Sequence, residues 1–139
     1  MNKQLKFQFT DSENEHLSTL FPIQHWEYKK DFVEQIDPEY RINRMGRVYS
    51  MKTNKFLKYQ LTADKRYLSV RLPVLGKPKY FRINRLVACS FIKNYKKLLY
   101  TDVDHIDDNS FNNLVSNLRW CTHKENTQPK TDINQRKLF

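Results

Sequence analysis

The chemistry-bearing residues of this 139-residue chain gather between positions 98 and 128, in LLYTDVDHIDDNSFNNLVSNLRWCTHKENTQ. Asp104, His105, Asn117 and Asn126 stand out there. An imidazole takes a proton from water near neutral pH, and an Asp carboxylate with an Asn carboxamide offers the oxygen donors that a hard divalent cation prefers. Such a set suits hydrolysis of a phosphodiester, in which water is deprotonated while charge grows on the phosphate and on the leaving oxygen. Asp104 and His105 are adjacent, and neighbouring side chains on a regular strand point to opposite faces. Both can serve one substrate only if the strand stops there, which the polar run Asp107, Asp108 and Asn109 favours.

Local signals indicate the elements that carry these groups. Residues 98–105 read as a strand, 106–117 as a polar loop, 118–121 as a second strand, and Thr122 as the opening of a helix. Thr122 and Glu125 form T-x-x-E, a capping box in which hydroxyl and carboxylate satisfy the first unpaired backbone N–H groups; it sets Asn126 on the first turn. Upstream, 40–43, 47–51, 55–61, 67–72 and 79–83 mix β-branched and aromatic residues with Lys and Arg in near alternation. Reversals are expected at Met45-Gly46, at Ala63-Asp64-Lys65 and at Leu75-Gly76-Lys77-Pro78. A helix capped by Asn84 should follow over 85–92. In the first 40 residues a short helix over 11–20 is expected, with Trp26 and Tyr28 packing on the sheet. The fold class is α+β: a small antiparallel basic β-sheet with a helix, then a strand–loop–strand–helix unit. The corresponding boundaries are an N-terminal extension over 1–25, a basic β-rich module over 26–97, the chemical unit over 98–128 and a tail over 129–139.

Charge points to the partner. The chain carries 25 Lys and Arg against 15 Asp and Glu, a net charge of +10, and residues 41–100 hold 16 of the basic residues with Asp64 as their only acid. Those cations interleave with Tyr and Phe instead of clustering in a tail, as on a folded basic face, and a polyanion rewards such a face through counterion release. No apolar run approaches the length of a membrane span, and the opening stretch lacks the apolar core of an export signal, so an intracellular, unsecreted protein is expected. Cys89 and Cys121 form neither a CxxC pair nor a dense framework, which favours a reducing compartment.

The segment VDHIDDNSFNNLVSNLRWCTHKEN resembles the HNH motif of the ββα-metal endonucleases, in the phage and intron-encoded homing-endonuclease variant whose third signature residue is Asn. EYRINRMGRVYS, the basic strands and RINRLVACSFIKN resemble the DNA-binding module that often precedes it, so the likeness spans roughly 24–128. The resemblance implies a metal-dependent DNA endonuclease acting on double-stranded DNA, with His105 as general base and Asn117 bracing the loop that orients it. Asp104 and Asn126 would hold one divalent ion, Mg²⁺ or Mn²⁺, and a single unit per chain would nick one strand. Arg119 and Lys124 would touch phosphate, as would Arg82 and Arg85 at the strand-to-helix junction, with Lys58 and Arg71 on the basic sheet. Asn84 stands where many relatives have His, and no structural zinc is expected from Cys121-Thr122-His123. His16, His25 and His123 lack comparable company and read as structural or surface residues. Two alternatives remain: a DNA-binding protein whose HNH unit is inactive, and an RNA-binding module. No protein partner is inferable from the sequence.

Overall fold

A computed structural model describes residues 17–26 and 34–128. Most of the helix expected over 11–20, together with Tyr28 and the tail over 129–139, lies outside the described residues.

Two short antiparallel sheets make the basic half. In the first, β1 (Phe21–Pro22), β2 (Tyr40–Ile42), β3 (Val48–Ser50) and β4 (Lys55–Phe56) lie in sequence order. Pairing of Phe21 with Ile42 carries this module back into the segment expected to be an extension. The second sheet contains β5 (Gln60–Leu61), β6 (Leu68–Val74) and β7 (Lys77–Arg82). The single strand expected over 55–61 is thus divided between two sheets. The reason is packing: Leu57 and Tyr59, between the two pieces, lie half-buried against the core, and the Leu57 N–H bonds the Val48 carbonyl.

Period-two alternation sorts β6 and β7 into two faces. Val70, Leu72 and Phe81 are buried while Arg71, Tyr80 and Arg82 are exposed, so one sheet presents an apolar face inward and a cationic, aromatic face outward. Leu75 and Gly76, at φ +51° and +81°, make the two-residue reversal between them, and Lys77 and Pro78, expected in the turn, already belong to β7.

Helix α1 (Ile83–Phe91) follows β7 without a break. Asn84 does not cap it. Arg82 is still paired with Ser69, so the helix begins at Ile83 and Asn84 falls inside the first turn, buried, with its Oδ1 lacking a partner among the described residues. Leu86, Val87 and Ala88 on α1 join Ile42, Val48 and Phe81, and the same apolar cluster takes in Val103 and Leu118 from the final hairpin. One core therefore crosses the boundary expected at 97–98, and the chemical unit is braced by the basic module.

Candidate active site

The hairpin of β8 (Asp102–His105) and β9 (Leu118–Cys121) leads directly into α2 (His123–Asn126). β8 is shorter than expected because 94–100 fold on themselves, with Asn94 Nδ2 donating to the Tyr100 carbonyl at 2.8 Å and the Leu99 N–H to that of Lys96. Val103 is anchored in the core, which sets Asp102 and Asp104 on the opposite face of the strand. β8 stops at His105, and Asp108 turns the chain at φ +65°.

That ending has the consequence adjacency demanded. Asp104, His105 and Asn126 line one cleft of about 740 Å³, with Asp102 and His123 beside them. The facing wall comes from the basic half through Lys65, Arg66, Tyr67 and Arg82. Acids and imidazoles thus lie across from cations, an arrangement suited to a phosphodiester whose charge is held from both sides. Arg82 and Arg66 sit over the Tyr67 ring at 4.3 and 5.5 Å, and Tyr67 in turn stacks on the His105 ring at 6.2 Å between centroids.

His105 is buried, and its Nε2 lies 2.8 Å from Asn113 Oδ1. A carboxamide oxygen only accepts, so Nε2 carries the proton and Nδ1 is left with the lone pair in the neutral ring. The side-chain hydrogen bonds of Asn117 go to the loop. Its Oδ1 accepts from the Asp107 N–H at 3.0 Å, and its Nδ2 donates to Asp107 Oδ1 and to the Asn112 carbonyl, each at 2.8 Å. It closes the loop on whose far side Asn113 sits. Hydrogen bonds from Asn112, the Asn109 N–H and Asn117 hold the Asp107 carboxyl below the ordinary carboxylate range, with the first as the largest contribution. The loop rests on the β2–β3 turn: the Val115 N–H bonds the Arg44 carbonyl at 2.9 Å, and Gly46, at φ +82°, lies against Asn113.

The helix that bears Asn126 is a single turn of four residues, too short to be stable alone and with little dipole to offer a phosphate. Its capping box is formed as the sequence predicts, with Thr122 Oγ1 accepting from the Glu125 N–H and Glu125 Oε1 from the Thr122 N–H, each at 3.1 Å. Both β8 acids reach the helix. Asp104, only 2% exposed, accepts from Arg119 Nε at 3.2 Å, and Arg119 Nη2 stands 3.6 Å from Glu125. Asp102 Oδ2 accepts from Asn126 Nδ2 at 3.0 Å and from His123 Nδ1 at 2.9 Å, while its Oδ1 accepts from Thr101 Oγ1. Burial alone would raise the Asp102 carboxyl, but hydrogen bonds from His123, Asn126 and Thr101 outweigh it and hold the group low. His123, 78% exposed as a surface residue would be, also lines the cleft.

The predicted DNA contacts divide. Arg82 lines the cleft, Arg71 is exposed on the same sheet over Tyr80, and Lys58 and Lys124 are exposed. Arg85 is used internally: its guanidinium donates to the Thr101 and Trp26 carbonyls at 2.9 and 3.3 Å and lies over Trp120, which itself stacks on Trp26. Arg119 is likewise engaged, its Nε donating to Asp104 at 3.2 Å and its Nη2 3.6 Å from Glu125. Sequence reasoning passed over Asp102, Asn113 and Tyr67. Asp102 was within reach, since residues i and i+2 of a strand share a face, whereas Asn113 and Tyr67 carry no local signature.

The donor chemistry can be tested against a metal. Two hard oxygen groups, the Asp104 carboxylate and the Asn126 carboxamide, line the cleft, a donor chemistry that suits a hard divalent cation. Among the described residues no group of three or more His, Cys, Asp or Glu is arranged to hold a metal ion. Burial pushes the Cys121 thiol up to about 12 and that of Cys89 to about 11, so both stay protonated near neutral pH.

Residues 101–128 match the family model described as HNH endonuclease. They form an HNH unit. Similarity runs beyond this unit: the chain is similar to DNA endonuclease I-HmuI of Bacillus phage SP01, 41% identical over 96 residues, which are 69% of this chain and 53% of that protein. It is also similar to an uncharacterized HNH endonuclease of Acanthamoeba polyphaga mimivirus, 38% identical over 109 residues, 73% of this chain and 32% of the relative. Among solved structures it resembles the HNH homing endonuclease I-HmuI, reported for DNA binding and cleavage, at 38% identity and a TM-score of 0.60. That match covers 75% of this chain and 57% of the other. The chain spans about half of I-HmuI and about a third of the mimivirus protein. In both the HNH unit and the α+β architecture, the comparisons agree with the reading from sequence.

Proposed function

We propose that this chain is an endonuclease that nicks double-stranded DNA by metal-assisted hydrolysis in the cleft between the HNH unit and the basic sheet. The observation that carries the reading is the convergence of Asp104, His105 and Asn126 on one cleft with Arg82 opposite. His105, with Nε2–H given to Asn113, presents Nδ1 to a water and takes its proton as that water attacks phosphorus. Asp104 and Asn126 would hold a divalent ion, Mg²⁺ or Mn²⁺, whose contribution is to stabilise charge on the phosphate and on the leaving oxygen. Arg82 and Arg66 hold the backbone on the facing wall. The likeness to I-HmuI, whose reported activity is DNA binding and cleavage, supports DNA as the substrate. The free thiols of Cys89 and Cys121 suit an intracellular, reducing setting.

The test is conversion of supercoiled plasmid to open circle by wild type and by His105→Ala, each with Mg²⁺ and with EDTA. Cleavage only by wild type with Mg²⁺ is expected. Wild type that binds the plasmid without cutting it would establish a DNA-binding protein in place of an enzyme.

A further inference from the structure

Resting on that reading, we propose that Asp102 is a positioning residue for the metal site: it holds the Asn126 carboxamide so that the amide oxygen, and not the nitrogen, is presented to the ion. A carboxamide flips readily between two orientations of similar shape, and only its oxygen binds a hard cation. Nothing in a one-turn helix selects the orientation. Asp102 does so: its Oδ2 accepts from Asn126 Nδ2 at 3.0 Å, and because the amide group is planar, Oδ1 is directed away from that carboxylate.

Asp102 is itself held. Thr101 Oγ1 donates to its Oδ1 at 3.1 Å, and His123 Nδ1, one turn before Asn126 on the same helix, donates to the oxygen that Asn126 uses. Two donors from α2 on one oxygen fix both the rotation and the distance of the helix relative to β8. Asp104 reaches the helix through Arg119 and the Glu125 of the capping box. The two acids of D-V-D-H therefore divide the work: Asp104 serves as ligand, and Asp102 orients the second ligand. Outer partners of this kind typically govern metal affinity by 10- to 100-fold.

The experiment measures Mn²⁺ binding by electron paramagnetic resonance on the full chain without DNA, so that cleavage is not the readout. Asp102→Ala is expected to weaken Mn²⁺ about 10- to 100-fold. Asp102→Asn retains an acceptor for Asn126 Nδ2 and should recover most of that loss. Asn126→Ala should weaken binding at least as much as Asp102→Ala, and the double variant should be no weaker than Asn126→Ala alone. Wild-type affinity in Asp102→Ala beside a weakened Asn126→Ala overturns the proposal alone, as do losses that multiply in the double variant, which would make Asp102 an independent ligand. Wild-type affinity in Asn126→Ala overturns the ligand assignment and this proposal with it. If Asp102→Ala lacks a cooperative melt, Asp102→Ser, too short to reach Asn126, is read in its place on the same terms.

Discussion

His105 Nε2 and Asn113 Oδ1 are 2.8 Å apart, both residues buried, so the candidate base is oriented by a side chain eight residues further along the loop. This contact selects the tautomer and pins the ring against Tyr67. Asn113→Ala should lower kcat for plasmid nicking by about 10²-fold, the scale of a small misplacement of a reacting group. KM should change little, because Asn113 does not line the cleft. Single-turnover nicking beside a DNA-binding titration separates the two effects, and an unchanged kcat would remove Asn113 from the mechanism.

Gly46 joins the basic module to this loop. A Cβ added there would lie 2.9 Å from Ile83 Cγ2 and 3.1 Å from Asn113 Cβ, at a φ of +82° that L side chains rarely adopt. Gly46→Ala should destabilise the fold by about 1–3 kcal/mol through strain and overpacking. It should also slow nicking, since Asn113 is one of the two side chains that must give way, Ile83 being the other. Urea unfolding reports the first effect and single-turnover kinetics the second.

Glu34 should contribute to the acid sensitivity of the basic module. Burial alone would raise its carboxyl, but the hydrogen bonds from Lys79, at 2.7 and 2.8 Å, and the His25 ring outweigh it and hold the group below its ordinary 4.5. The folded protein therefore binds this proton less readily than the unfolded chain. The stabilisation is complete above about pH 4.5 and is lost as pH falls through the lowered folded value. Glu34→Gln should cost about 1–3 kcal/mol at pH 7. The difference from wild type should shrink as pH falls below about 4.5, which urea midpoints measured across pH 3 to 7 would check. A gap independent of pH would show that Glu34 acts through packing alone.

Arg82 should act on binding more than on chemistry. It is exposed on β7 and faces the carboxylates across the cleft, as a phosphate contact would. Arg82→Ala should weaken DNA binding on all sequences alike and reduce the slope of log affinity against log salt by about 1. Arg85→Ala, by contrast, should lower the melting temperature, since its guanidinium ties Thr101 and Trp26 together. A full salt slope in Arg82→Ala would place the phosphate elsewhere.

The sequence by itself determined whatever depends on near neighbours. The capping box at Thr122 and Glu125, the reversals at Gly46 and Gly76, the alternation along β6 and β7 and the bounds of β9 all follow from backbone groups that must be satisfied within a few residues. The HNH reading came from the resemblance of the D-H, N and N segment to that family, whose strand, loop and one-turn helix are local constructions. Element ends set by packing were not legible. The break at Leu57 to Tyr59 and the start of α1 at Ile83 instead of Arg85 were decided by which side chains the shared core accepts.

Only the tertiary structure decided which residues complete the site. Tyr67, just before β6, stacks on His105 with Arg82 of β7 over its ring, Asn113 is held between His105 and Gly46, and Asn126 pairs with Asp102, 24 positions away. Contacts of that kind depend on how separate elements pack, and spacing along the chain carries no term for it. The same packing draws inward Arg85 and Arg119, which were assigned to phosphate from sequence: Arg85 donates to the Thr101 carbonyl and Arg119 pairs with Asp104.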